Sequence, residues 1–184
     1  NDSINCGYEV VQGFRDTKNI CDNWLSTSYA ILYYLQSLFI NKSRFNFGMS
    51  SFLNGTGFMV KKETIDRYGY DPKTITEDIE YTAICAINGI KIAFNENAIT
   101  YDEQVTDFKS SLKQRKRWSF GAIQCLKNYT GSLIKEGIKN KRFECFDVII
   151  FYFGIIFHVL FTIVSLIGIF YNVFYLNNFN SMDV

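Results

Sequence analysis

The longest continuous pattern in the chain is a run from Phe146 to Leu176 that is apolar almost throughout. Between Val148 and Tyr171 no residue carries a fixed charge, and only His158, Thr162 and Ser165 among the non-aromatic residues are clearly polar. About 20 apolar residues in a helix span the hydrocarbon core of a bilayer. The run therefore predicts a transmembrane helix, with Tyr152, Tyr171 and Tyr175 as interfacial aromatics. Upstream, helical and strand periods alternate. Leu25, Tyr29, Leu32, Leu35 and Phe39 recur at helical spacing between Trp24 and Phe39. Phe58-Met59-Val60 follows a glycine turn and predicts a short buried strand. Ile79, Ala83, Ala86 and Ile87 share one helical face, which Asn88-Gly89 ends because glycine accepts the left-handed C-terminal position. Ile90, Ile92 and Phe94 alternate with Lys91 and Ala93 as in a strand, and a further helix is predicted from near Thr106 through Trp118. The apolar stretch Ser28 to Ile40 is too short for a second span and contains Gln36.

Charge adds a direction. Lysine plus arginine (19) balances aspartate plus glutamate (18), so no global field favours nucleic acid. Lys127, Lys135, Lys139, Lys141 and Arg142 precede the apolar run, however, and no lysine or arginine follows Tyr171. The positive-inside rule places the part before the span in the cytoplasm. Cys6, Cys21, Cys85, Cys125 and Cys145 are odd in number and lack CxxC spacing, which predicts reduced thiols, neither a disulfide framework nor a zinc ribbon. The one histidine, His158, lies inside the apolar run, which argues against a histidine base or a multi-histidine metal site. Asn1 to Tyr8 runs directly into Val10-Val11, as in the middle of a fold, and the chain is expected to be cut at its N-terminus.

Three constellations can carry chemistry. Thr76-Glu77-Asp78 falls where a loop becomes a helix, and unpaired N–H groups there favour an ionised carboxylate. Thr74 with Glu77 fits a capping box, and taken alone these acids read first as helix-stabilising, as acids in first turns usually are. In Gln114-Arg115-Lys116-Arg117-Trp118, the residues Gln114, Arg117 and Trp118 share a helical face. Arginine can grip a phosphate bidentately and an indole can stack on a sugar; a basic helix lying on anionic lipid has the same composition. Asn54-Gly55-Thr56-Gly57 lets backbone approach a ligand closely, or simply turns into a strand. GxGxxG and P-loop patterns are absent, which argues against dinucleotide and ATP sites.

The order of these elements adds what none supplies alone. Gly55-Thr56-Gly57, then Thr76-Glu77-Asp78, then Tyr101-Asp102-Glu103-Gln104, then QxxRW, then a membrane span closely resembles the family 2 glycosyltransferases of the processive type, such as cellulose, hyaluronan and poly-N-acetylglucosamine synthases. Val11-Gln12-Gly13 followed by Lys18-Asn19 looks like the stretch just after their donor-binding strand. The resemblance implies an α/β chain: a partial GT-A (Rossmann-like nucleotide-diphospho-sugar transferase) domain followed by interfacial and transmembrane helices. Its divisions would be 1–130 for the cytosolic part, 131–147 for a basic juxtamembrane segment, 148–176 for the transmembrane helix and 177–184 for a tail.

By resemblance, Asp78 is the general base of an inverting transfer, with Thr76 and Glu77 in support. Gln114, Arg117, Trp118, Gly55, Thr56 and Gly57 would line the acceptor and diphosphate side. The implied partners are a nucleotide-sugar donor, in particular a UDP-sugar, a saccharide or lipid-linked acceptor and the lipid bilayer; no nucleic acid is implied. The implied place is the cell membrane, with the catalytic part cytoplasmic. A divalent metal (Mg or Mn) is expected for the full-length enzyme, but the DxD motif that would help bind it is missing, so its ligands are expected upstream of Asn1 and none in this chain. The chain alone is accordingly expected to be inactive. The competing expectation is a non-catalytic membrane-anchored scaffold or degenerate homologue.

Overall fold

The computed structural model describes residues 2–179. Helix α1 (Asp2–Asn5) leads into strand β1 (Val10–Thr17). Helix α2 (Trp24–Leu35) starts at Asn23, whose side chain accepts from the N–H groups of Leu25 and Ser26, while the Ser26 hydroxyl accepts from the Asn23 N–H. A π-helical segment (Gln36–Lys42) and α3 (Ser43–Asn46) continue it without a break. Strand β2 (Phe58–Val60), α4 (Lys62–Tyr68), α5 (Glu77–Asn88), β3 (Ile92–Asp102), α6 (Phe108–Asn140) and α7 (Phe143–Phe179) follow. Gly89 ends α5 in the left-handed conformation, at φ 72°. Asp107 caps α6, accepting from the N–H groups of Lys109 and Ser110. Helix α6 runs unbroken through residue 130.

Among the described residues the strands form one sheet in the order β2-β1-β3, with β1 antiparallel to β2 and parallel to β3. The sheet is longer than the hydrophobic pattern foretold. β1 is buried nearly throughout although half of it is polar, because Gln12 and Arg15 bond to neighbouring segments. β3 continues well past Phe94 into exposed residues, held by its pairing with β1 as far as Asp102. The ladder shifts register between Gly13 and Phe14, where β3 bulges over β1. The carbonyl of Ala98 then lies so close to Gly13 that any Cβ at this position would collide with it.

Helix α7 belongs to the core before it leaves it. Cys145, Val148 and Tyr152, one face of its first turns, are buried in one cluster with Phe52, Ile79 and Ala83. The seam with α5 is antiparallel. Arg142 donates to the carbonyl of Ile87, the Cys145 thiol to that of Ala86 at 3.4 Å, and the Tyr152 hydroxyl to that of Ile79 at 2.9 Å. Arg44 on α3 pairs with Asp147 and secures the other side of α7. Beyond this seam the helix is almost wholly exposed and apolar. It is the one helix among the described residues long and apolar enough to cross a membrane, with a mean hydropathy of 2.5 over its most apolar window.

Candidate active site

Asp78 stands in the first turn of α5 with its carboxylate against the turn before β2. A methyl group placed on Gly55 would lie 3.2 Å from Oδ2 of Asp78, so glycine, at φ 76°, leaves that oxygen reachable. Half-buried, Asp78 is pushed up from its ordinary value of 3.8 to about 6. Burial is the main cause and the adjacent Glu77 adds to it; bonds from the backbone N–H groups of Ile79 and Asp78 and the charge of Arg15 act in the opposite direction. A carboxylate with these properties is ionised at neutral pH yet more basic than an exposed one, which suits proton acceptance.

The Gly55-Thr56-Gly57 turn is sewn to β1. Gln12 accepts from the Asn54 N–H at 2.9 Å and donates to the Thr56 carbonyl at 2.9 Å. Gly13 donates its N–H to the Gly57 carbonyl at 2.8 Å. Arg15, also on β1, donates to the Asn54 carbonyl at 2.8 Å, pairs with Asp102 at the end of β3, and lies 3.6 Å from the ring centre of Tyr33. Thr82 ties the same turn to α5, accepting from the Leu53 N–H and donating to the Asp78 carbonyl.

Glu80 fixes the loop before α5. Buried, it accepts from the N–H groups of Lys73 at 2.9 Å and Thr74 at 2.7 Å and from the Tyr129 hydroxyl. Burial pushes this carboxyl up, but those bonds outweigh it and hold it below its ordinary value. The structure thus differs from the capping box expected of Thr74 and Glu77. Thr76 occupies the cap position without a side-chain bond, and Thr74 donates to the Thr76 carbonyl instead. Thr76 is packed against α6, where any Cβ on Gly121 would overlap it.

That contact brings the two sequence motifs together. Gly121 lies seven residues from Gln114 and three from Trp118, on their side of α6. The Ile75 N–H donates to Gln124 on the same helix at 3.1 Å. Trp118 is half-buried and meets Tyr29 edge to face, with ring centres 6.2 Å apart; Tyr29 stacks on Tyr33, which carries Arg15. A continuous line therefore runs from Trp118 through Tyr29, Tyr33 and Arg15 to the turn that walls Asp78. Along it, Nδ2 of Asn54, the hydroxyl of Tyr33, Oγ1 of Thr56 and Oε1 of Gln114 are buried with no hydrogen-bond partner in the chain. Arg117 does not join this line; it stands in solvent.

Gln12, which the resemblance set just after a strand, lies within β1, and sequence reasoning passed over Arg15, Tyr33 and Glu80. Glu80 had a signal, as the third acid in one helical turn. The others had none, since their partners are distant in sequence.

Comparison with known sequences gives the class of the protein, a glycosyltransferase family. Residues 6–178 match the family described as Glycosyl transferase family group 2. The chain belongs to that family, which implies a GT-A-like fold. It is also similar to a protein of Bacillus subtilis (strain 168) named "Probable glycosyltransferase YdaM", at 25% identity over 160 residues, covering 83% of this chain and 34% of that protein. The chain thus spans about a third of the length of this relative.

Proposed function

We propose that this chain carries the base and the acceptor side of an inverting, membrane-embedded glycosyltransferase that builds a polysaccharide from a UDP-sugar at the cytoplasmic face. The observation that carries this reading is the placement of Asp78: a raised carboxylate facing a glycine turn, with free polar groups and Trp118 along the same wall. Asp78 accepts the proton of an acceptor hydroxyl as that oxygen attacks the anomeric carbon and the nucleoside diphosphate leaves. Gln114 and Trp118 orient the acceptor. Arg117, free in solvent, turns toward the leaving diphosphate when donor is bound.

The register of α7 supports work at the membrane surface. Tyr152 bonds to Ile79, so Asp78 stands at the end of α5 nearest the point where α7 becomes exposed and apolar. From Tyr152 to the exposed Phe157 is about 8 Å of helix. An acceptor reaching Asp78 thus meets the protein where the bilayer surface would lie.

A divalent metal does not fit the described residues of this chain. Among the described residues no three of His, Cys, Asp or Glu converge, and Asp102 and Glu80 are already engaged by Arg15 and by Tyr129 with its loop. No step is assigned to a metal here; its ligands would come from elsewhere in the complete protein.

The test is Asp78→Asn in the full-length protein, assayed in lipid against a panel of UDP-sugars. The expected result is loss of transfer by about 10²–10⁴-fold, with folding and membrane insertion intact. A non-catalytic scaffold would be indifferent to the change.

A further inference from the structure

Two consecutive residues of α7 hold both walls around Asp78. The Tyr152 hydroxyl donates to the Ile79 carbonyl at 2.9 Å, in the first turn of the helix that bears Asp78. The Phe151 ring stacks on Phe52, with centres 4.2 Å apart, just before the Asn54-Gly55 turn that faces it. Tyr152 is fully buried, and a phenol taken out of water costs free energy unless its hydroxyl finds a partner. Filling the space alone would need only phenylalanine. Thr76 makes no capping bond at this end of α5, and the loop before it is held by Glu80 and by α6, so the Tyr152 bond is the contact from α7 that reaches the first turn.

We propose that Tyr152 is a positioning residue for sugar transfer: its bond to Ile79 sets where Asp78 stands against the Gly55 turn, and Phe151 on Phe52 sets the facing wall. Resting on the assignment of Asp78 as base, this makes α7 the frame to which the site is referenced as well as a membrane anchor. Proton transfer requires donor and acceptor atoms within roughly 2.6–3.2 Å, and a misplacement of about 1 Å costs on the order of 10²-fold in rate.

Tyr152→Phe removes the hydroxyl and keeps the ring. Its control is Cys145→Ala, which deletes the thiol contact to Ala86 at the opposite end of the same seam. Both are compared with wild type and Asp78→Asn, as full-length proteins in lipid, using the UDP-sugar that wild type turns over. In Tyr152→Phe, kcat is expected to fall about tenfold or more with KM for the acceptor within about twofold, while Cys145→Ala keeps the wild-type kcat even where it lowers thermal stability. Hydrogen exchange in the first turn of α5 should quicken in Tyr152→Phe alone. Unchanged kcat in Tyr152→Phe, or rate losses in both variants that merely track their losses of stability, overturns the proposal. If Asp78→Asn still transfers sugar, the base assignment has failed; if it is inert while Tyr152→Phe keeps its rate, only the role of Tyr152 has. Should Tyr152→Phe not fold, Phe151→Leu loosens the Phe52 stack with the hydroxyl intact and is read by the same two outcomes.

Discussion

Replacing Asp78 with asparagine should stop the chemistry and strengthen the fold. The carboxyl is raised from 3.8 to about 6, so ionising it costs more in the folded protein than in the unfolded chain. At 1.36 kcal/mol per pH unit, that difference amounts to at most about 3 kcal/mol. Asparagine keeps the shape and an oxygen that can accept from the Ile79 N–H, but it remains polar in the same half-buried place. The net gain is therefore expected to be about 1–2 kcal/mol. Its sign depends on pH in a definite way. The folded carboxyl keeps its proton to a higher pH than the unfolded one, so the cost is absent below about pH 4, grows between about 4 and 6, and is complete above about 7. Thermal unfolding of wild type and Asp78→Asn in detergent, followed across that range, should show the variant more stable at about pH 8 and the difference closing as the pH falls to about 4. A variant no more stable than wild type at pH 8, or a gap that persists in acid, would refute the view that Asp78 is an ionised group held against burial.

Arg15 should set the acid limb of the rate. Removing its charge in Arg15→Met leaves Asp78 facing Glu77 on its own helix, Tyr33 on α2 and Tyr70 in the loop before α5, with Asp102 of β3 unpaired, so the pH below which transfer fails should move upward, whereas Arg15→Lys should move it less; identical limbs in all three proteins would show that the charge is not felt. Glu80→Gln weakens the hydrogen bonds to the loop N–H groups of Lys73 and Thr74 and to Tyr129 on α6, and should cost about 1–3 kcal/mol near neutral pH, with the deficit shrinking in acid as Glu80 itself becomes protonated, measurable by thermal unfolding. Gly121→Val forces Thr76 away from α6 and should lower both stability, by about 1–3 kcal/mol, and transfer rate; normal kcat in that variant would mean the two helices need not touch for transfer.

Much of the local structure was legible from the sequence, because local patterns specify it. The i, i+4, i+7 spacing of Ile79, Ala83 and Ala86 and the Asn88-Gly89 stop mark α5 almost to the residue. The uncharged run around His158 marks the exposed part of α7. The central strand was not legible, for a physical reason: β1 lies between two neighbours, and its buried positions include Gln12, Arg15 and Thr17. A strand that satisfies polar side chains through partners some 40 to 90 residues away shows no alternation of hydrophobic and polar residues, and only the fold supplies those partners. The same distinction divides the site. Thr76-Glu77-Asp78 and Gln114-Arg117-Trp118 announce themselves through helix position and spacing, but the side chains that decide whether Asp78 is a base act from elsewhere. The charge of Arg15 reaches it from β1, Tyr33 faces it from α2, and Tyr152 on α7 bonds to its neighbour Ile79. A carboxylate's identity can be read along the chain, whereas its proton affinity and its position within an ångström belong to the packing. A change at Tyr152, remote in sequence from every motif, is for that reason expected to alter the transfer rate while leaving each motif intact.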